Sequence, residues 1–183
     1  MALAAGLQGA FSLARGRSEG IGQVAAGRDA ARLSFWAMAL CLPAFLFLRV
    51  TDWAWNGMPP HLGHATALEL LAYATGWLAF AVASRPLAAL LGRERRWELF
   101  VAVWNWCNVI QYLLLVAAAI PRLLGAPDWV CQTAGLVALG WALWLEWYGT
   151  RLALDVGGWT ATGMVMVDAG IGIAMSAAIG LLS

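Results

Sequence analysis

Lysine is absent from the 183 residues, histidine occurs twice and cysteine three times. Each shortage excludes something. Eleven cations, all arginine, stand against ten acids for a net charge of +1. No face is rich enough in positive charge to neutralise a run of phosphates, so no nucleic-acid partner is expected. Cys41, Cys107 and Cys131 are widely separated, each in or beside an apolar stretch, and form neither a Cys-x-x-Cys redox pair nor a disulfide framework. His61 and His64 cannot supply the paired intramembrane imidazoles of a b-type haem bundle. With Asp52 nearby in sequence they are the only candidate metal ligands, and two histidines three apart on a proline-bearing loop are a weak signal for a metal site. No metal and no other cofactor is expected. Catalytic patterns are missing too: there is no Gly-x-Ser-x-Gly, no His-Glu-x-x-His, and no histidine at the depth of Ser34, Ser84 or Ser176 to act as a base. No catalytic residue is assigned.

Charge itself is scarce. Only 11% of residues are charged and 62% are hydrophobic, whereas a soluble domain carries about 25% charged residues. A water-soluble fold of this size has too little polar surface to cover such a chain. The expectation is an all-α, polytopic transmembrane bundle whose main partner is the lipid bilayer. Crossing the hydrocarbon core takes about 20 helical residues, and five segments approach that length: 33–50, 65–84, 97–119, 130–149 and 159–182. Residues 1–32 form a cytoplasmic or interfacial segment and 33–183 the five-helix domain. Arg15 is the first cation and the first long apolar run begins near Leu33, so no cleaved signal peptide is expected and that run stays as an anchor.

Arginine placement orients the bundle. Arg15, Arg17, Arg28 and Arg32 precede the first span, Arg85, Arg93, Arg95 and Arg96 separate the second from the third, and Arg151 separates the fourth from the fifth. Only Arg49 and Arg122 fall on the other side. By the positive-inside rule the N-terminus is cytoplasmic and the C-terminus outside, in a bacterial inner membrane. Twelve tryptophans are present. Trp53, Trp55 and Trp129 mark the outer boundary and Trp97, Trp147 and Trp159 the inner one, while Trp77, Trp104, Trp106, Trp141 and Trp144 lie deeper and pack between helices. Before the spans, Leu3, Leu7, Phe11 and Ala14 share one helical face, which predicts a short amphipathic helix in the interface, ended by the glycines at 16, 20 and 22.

Ionisable groups inside spans are functional candidates by default. Asp168 lies in the fifth span at the depth of Asn105 and Asn108 in the third. Asn105, Asn108 and Tyr112 follow an i, i+3, i+7 spacing with Gln111 beside them, so that stripe is expected to face the bundle interior. Gly172, Ser176 and Gly180 continue the Asp168 face as a small-residue seam and predict a buried helix contact. In that setting Asp168 is expected to be protonated and to donate a hydrogen bond to Asn105 or Asn108. Glu69 and Tyr73, at i and i+4 on the second span, form an outer polar group, and with the Asp168 cluster they outline a discontinuous polar track. The alternative for Glu69 is a solvated outward crevice. Glu146, near the inner boundary, is expected to pair with Arg151.

Three stretches carry a resemblance: Leu7-Gln8-Gly9-Ala10-Phe11-Ser12-Leu13-Ala14-Arg15-Gly16, then Phe35-Trp36 followed by Leu42-Pro43, then Trp104-Asn105-Trp106-Cys107-Asn108. The layout resembles small five-span bacterial inner-membrane proteins and, loosely, the Yip family of five-span membrane proteins. The Yip cytosolic segment has no counterpart here, and the resemblance implies topology alone. Two functions fit these observations. One is an accessory or assembly component acting through helix–helix association with other membrane proteins. The other is a small proton-linked transporter or channel using the polar track.

Overall fold

The computed structural model describes residues 2–182, which hold seven α-helices and, among the described residues, no strand. The helices are α1 (Ala2–Ala14), α2 (Arg28–Ser34), α3 (Trp36–Asn56), α4 (Leu62–Leu90), α5 (Trp97–Leu123), α6 (Asp128–Leu154) and α7 (Gly158–Leu182). Short 3₁₀ segments cover Ser18–Gln23 and Glu94–Arg96. Four stretches are long and apolar enough to cross a membrane: Arg28–Asn56, which runs through α2 and α3, then α4, α5 with its 3₁₀ lead-in, and α7. The expected fourth of five spans falls on α6. Its 27 residues equal α5 in length, but Gln132, Thr133, Glu146 and four tryptophans leave it less apolar.

The helices outrun the expected spans. The spans expected to stop at 84 and 119 belong to helices that run on to Leu90 and Leu123, with Pro86 and Pro121 inside them. What ends these helices is glycine rather than proline. Gly92 has φ +68° and Gly125 φ +73°, a left-handed conformation that costs a Cβ-bearing residue about 1 kcal/mol or more. At each, the following amide reaches five residues back: Arg93 N–H donates to Ala88 O at 2.7 Å and Ala126 N–H to Pro121 O at 2.9 Å. This closure satisfies carbonyls that the helix end leaves free. At the end of α6 the same left-handed position is held by Asp155, φ +55°. Its carboxylate lies between Arg93 Nη1 at 3.8 Å and Arg96 Nη1 at 3.5 Å, which ties the α6–α7 turn to the α4–α5 turn.

That tie and others put alternate connections at the same end of the bundle. Arg28 of α2 faces Glu98 of α5 at 3.8 Å, and Tyr148 of α6 donates to Gly16 O at 3.0 Å. At the opposite end the Arg122 guanidinium lies 5.7 Å from the Trp55 ring. The arginine-rich segments thus share one end, Arg49 and Arg122 the other, in an up-and-down arrangement.

α5 is the axis. Eight consecutive residues, Phe100 to Cys107, are all buried, because α1, α2, α3 and α6 pack around that half of the helix. Such a helix must be apolar on every side, and only Asn105 interrupts it. α1 is one of the packed neighbours, which revises the expectation of an interfacial helix on the Leu3, Leu7, Phe11 and Ala14 face. Leu3 and Phe11 are exposed, whereas Ala10, Leu13 and Ala14 are buried. The seat is made by small residues: a Cβ on Gly6 would lie 2.7 Å from Trp106 Cδ1. Trp77, Trp104 and Trp106 are buried as expected, but Trp144 is exposed and stacks on Tyr148 with centroids 5.4 Å apart.

Candidate functional site

α7 has its buried residues only in its first half, although Met175 still lies beside Gly76 of α4. Ala161, Met164 and Val165 are buried, but Gly172, Ser176 and Gly180 are exposed, and nothing stands within 4 Å of a Cβ built on Gly172 or Gly180. The expected buried seam is therefore corrected: small side chains at four-residue steps permit close approach without compelling it. Along the less buried half of α7, a cavity of about 260 Å³ opens between α3, α4, α5 and α7. Exposed Gly172 and Ser176 form part of its wall, so the cavity is open rather than sealed.

Its polar lining comes from four helices: Arg49, Glu69, Tyr73, Asn108, Tyr112 and Asp168. The outer pair Glu69 and Tyr73 and three of the five expected inner residues therefore share one space. Glu69 is paired on the wall of this open cavity. Its side chain is 12% exposed and accepts from Arg49 Nη1 at 3.4 Å, with Asp52 reaching the same nitrogen at 4.0 Å. Tyr73 donates to Met38 O at 2.7 Å, joining α4 to α3, and its ring meets Phe45 at 4.5 Å and Tyr112 at 6.2 Å.

The expected pairing of Asp168 with the asparagines is not made. Asp168 Oδ2 accepts from the Trp104 indole N–H at 2.9 Å. Asn105 turns away from the cavity, accepting from Trp77 Nε1 at 2.7 Å and donating to Ser34 Oγ at 2.8 Å. Asn108 Nδ2 bonds its own helix at Trp104 O, 2.9 Å. Gln111 points to the far side of α5 and donates to Ala142 O of α6 at 2.9 Å. The stripe on the cavity is Trp104, Asn108 and Tyr112 at i, i+4, i+8, rather than the three expected residues. An indole N–H replaces an amide as the donor to Asp168. Trp77 and Phe80 hold Trp104 in place at centroid distances of 5.5 and 4.9 Å, edge-on and tilted contacts favoured by aromatic quadrupoles.

Glu146 departs furthest from its expected place. It does not pair with Arg151, whose guanidinium lies 5.6 Å from the Trp147 ring. Glu146 is buried where α6 packs on α7, beside Asp168. Its Oε1 is buried and no donor reaches it. Helix register carries the signal for this meeting. Glu146 stands eight residues before the end of α6 and Asp168 ten after the start of α7, so two antiparallel neighbours carry acids at nearly equal depth.

His61 and His64 are both exposed, and no cluster of three metal-ligating side chains occurs among the described residues. Cys41 and Cys107 are buried and all three cysteines are free. No protein-family model, curated protein or solved structure matches the chain.

Proposed function

We propose that this is a five-span protein of a bacterial inner membrane, N-terminus cytoplasmic and C-terminus outside, that binds a small polar solute in the α3–α4–α5–α7 cavity and couples its movement to protons. α6 counts as the fourth span because it packs along both α5 and α7, and the arginine-rich end is the cytoplasmic one. The observation that carries the reading is the convergence of Glu69, Arg49, Tyr73, Tyr112 and Asp168 on one open cavity. Titratable side chains are expensive inside apolar helices and are kept where ions or polar solutes are handled. A cavity that draws on four helices is also the arrangement in which rocking of one helix, here the half-buried α7, changes access.

The test is reconstitution of the purified chain into proteoliposomes holding a pH-sensitive dye, under an imposed potential. Amino acids, small carboxylates or sugars are added in turn. Proton movement above that of protein-free vesicles, lost in Asp168→Asn, supports the proposal. No movement under any of these conditions sinks it.

A second reading, an accessory or assembly component working by helix association, is supported by the exposed seam Gly172, Ser176 and Gly180. Small-residue faces allow a foreign transmembrane helix to approach closely. Its test is copurification from mild detergent: a stoichiometric partner released by Gly172→Leu supports it, and a chain that purifies alone from native membranes removes it. The exposed apolar residues elsewhere are covered equally well by lipid and favour neither reading.

A further inference from the structure

Glu146 and Asp168 confront each other where α6 packs on α7. Glu146 is 8% exposed, its Oε1 is buried and reached by no donor, and the Trp104 indole donates only to Asp168. Other titratable groups surround them. From α5, Tyr112 lines the cavity together with Asp168, and Cys107 lies buried beside Gly149 of α6; across the cavity stand Glu69 and Tyr73 of α4 and Arg49 of α3, the arginine engaged by Glu69. Among the described residues no cation lies within 4.0 Å of either carboxyl. α6 and α7 add none: Arg151 is drawn to Trp147, and Asp168 is the sole charged residue of α7.

We infer that Glu146 and Asp168 form a proton-binding site, a carboxyl pair that holds one exchangeable proton between α6 and α7 at the edge of the cavity. Two neighbouring carboxyls, one of them buried and neither with a cation, repel strongly enough to disfavour charge on both. A proton on one of them supplies the donor that Glu146 Oε1 lacks, and the two acids then titrate as a unit. Asp168 connects the pair to the cavity, because it also lines that space. Glu146 does not line it and is the inner member. On loss of the proton two like charges face each other at a helix interface, which pushes α6 and α7 apart. The half-buried α7 is the element free to respond. That coupling role rests on the proton-linked reading above; the existence of the shared proton does not.

Infrared spectroscopy of the purified chain in lipid reads the proton directly, through the carbonyl stretch of a protonated carboxylic acid. At neutral pH the expected result is one such band, which moves to lower frequency when aspartate or glutamate is supplied with ¹³C-labelled carboxyl groups. It should be lost in the double variant Glu146→Gln, Asp168→Asn. If neither label moves a protonated-acid band at neutral pH, both carboxyls are ionised and the proposal is overturned. Survival of the band in the folded double variant assigns it to other residues and overturns the proposal equally. Should the double variant fail to fold, the single variants Glu146→Gln and Asp168→Asn replace it, and a band unaltered in both overturns the proposal. The band without proton flux in vesicles keeps the site and removes the transport reading; flux without the band does the reverse.

Discussion

Trp104 and Asp168, 64 residues apart in sequence, are joined by a 2.9 Å hydrogen bond from the indole N–H to Oδ2. The bond links the axial helix α5 to α7, the helix whose buried residues all lie in its first half. Trp104→Phe keeps an aromatic ring beside Trp77 and Phe80, but it removes the donor and leaves part of the indole's volume empty. We expect a loss of at least about 1 kcal/mol, read by denaturant unfolding in mixed micelles, together with faster hydrogen exchange in α7 than in α4. Equal exchange in both helices would show that the bond does not anchor α7.

Asn105 and Asn108, three residues apart, should respond very differently. Asn105 is wholly buried and bridges Trp77 of α4 to Ser34 of α2. Asn105→Leu strands a buried indole N–H and takes one bond from the Ser34 hydroxyl, which keeps its own to Ala31 O, for an expected loss of about 2 kcal/mol. Asn108 bonds only a carbonyl of its own helix, so Asn108→Leu should change stability by less than about 0.5 kcal/mol. Equal effects of the two substitutions would refute the assignment of Asn105 as the cross-helix clamp.

The all-helical bundle is readable in the sequence because membrane-length apolar runs are local signals, but its helix ends are not: the spans expected to stop at 84 and 119 run on towards the left-handed Gly92 and Gly125. The candidate site is only partly readable. Depth along the chain brings Asp168 to α5 and puts Glu69 on the same face as Tyr73, but a depth count that credits polarity to amides and carboxylates alone treats Trp104 as apolar. Its N–H is nevertheless the donor that Asp168 uses. Glu146 escapes the same count because hydropathy ends the fourth span at residue 149, whereas α6 runs to Leu154 and carries Glu146 into the interior. The seam on α7 differs for another reason: small residues look the same whether a neighbour approaches or a cavity does.

Arg49 and Glu69 offer a test of electrostatics inside the cavity. The pair is 3.4 Å apart, with the Glu69 side chain 12% and the Arg49 side chain 39% exposed. Arg49→Gln leaves a largely buried carboxylate without its cation and should be more harmful than the double variant Arg49→Gln, Glu69→Gln. A coupling of about 1 kcal/mol is expected in a double-mutant cycle, reduced by the partial exposure of Arg49. Strictly additive effects would mean that the two charges do not sense one another.

Topology is decided by labelling. In a chain with the three native cysteines replaced, single cysteines at Met58 and Gly125 should react with a membrane-impermeant maleimide from outside the cell. Cysteines at Gly92 and Gly157 should not react. Reaction of both Gly125→Cys and Gly157→Cys from the same side would mean that α6 does not cross, leaving four spans.

Gly6 is the position where α1 leans on the indole of Trp106, close enough that a methyl group would collide. Trp106 is 3% exposed and has little room to yield, so Gly6→Ala should dislodge α1, lowering stability by about 1–3 kcal/mol and shifting tryptophan emission to longer wavelength. An unchanged spectrum and unchanged stability would contradict the contact. The same seat has a bearing on how the chain is made. Ribosomes emit α1 long before Trp106 exists to receive it, so α1 must wait outside the bundle until α5 has entered. Its docking is then a late step of biogenesis, one that can mark the bundle as assembled.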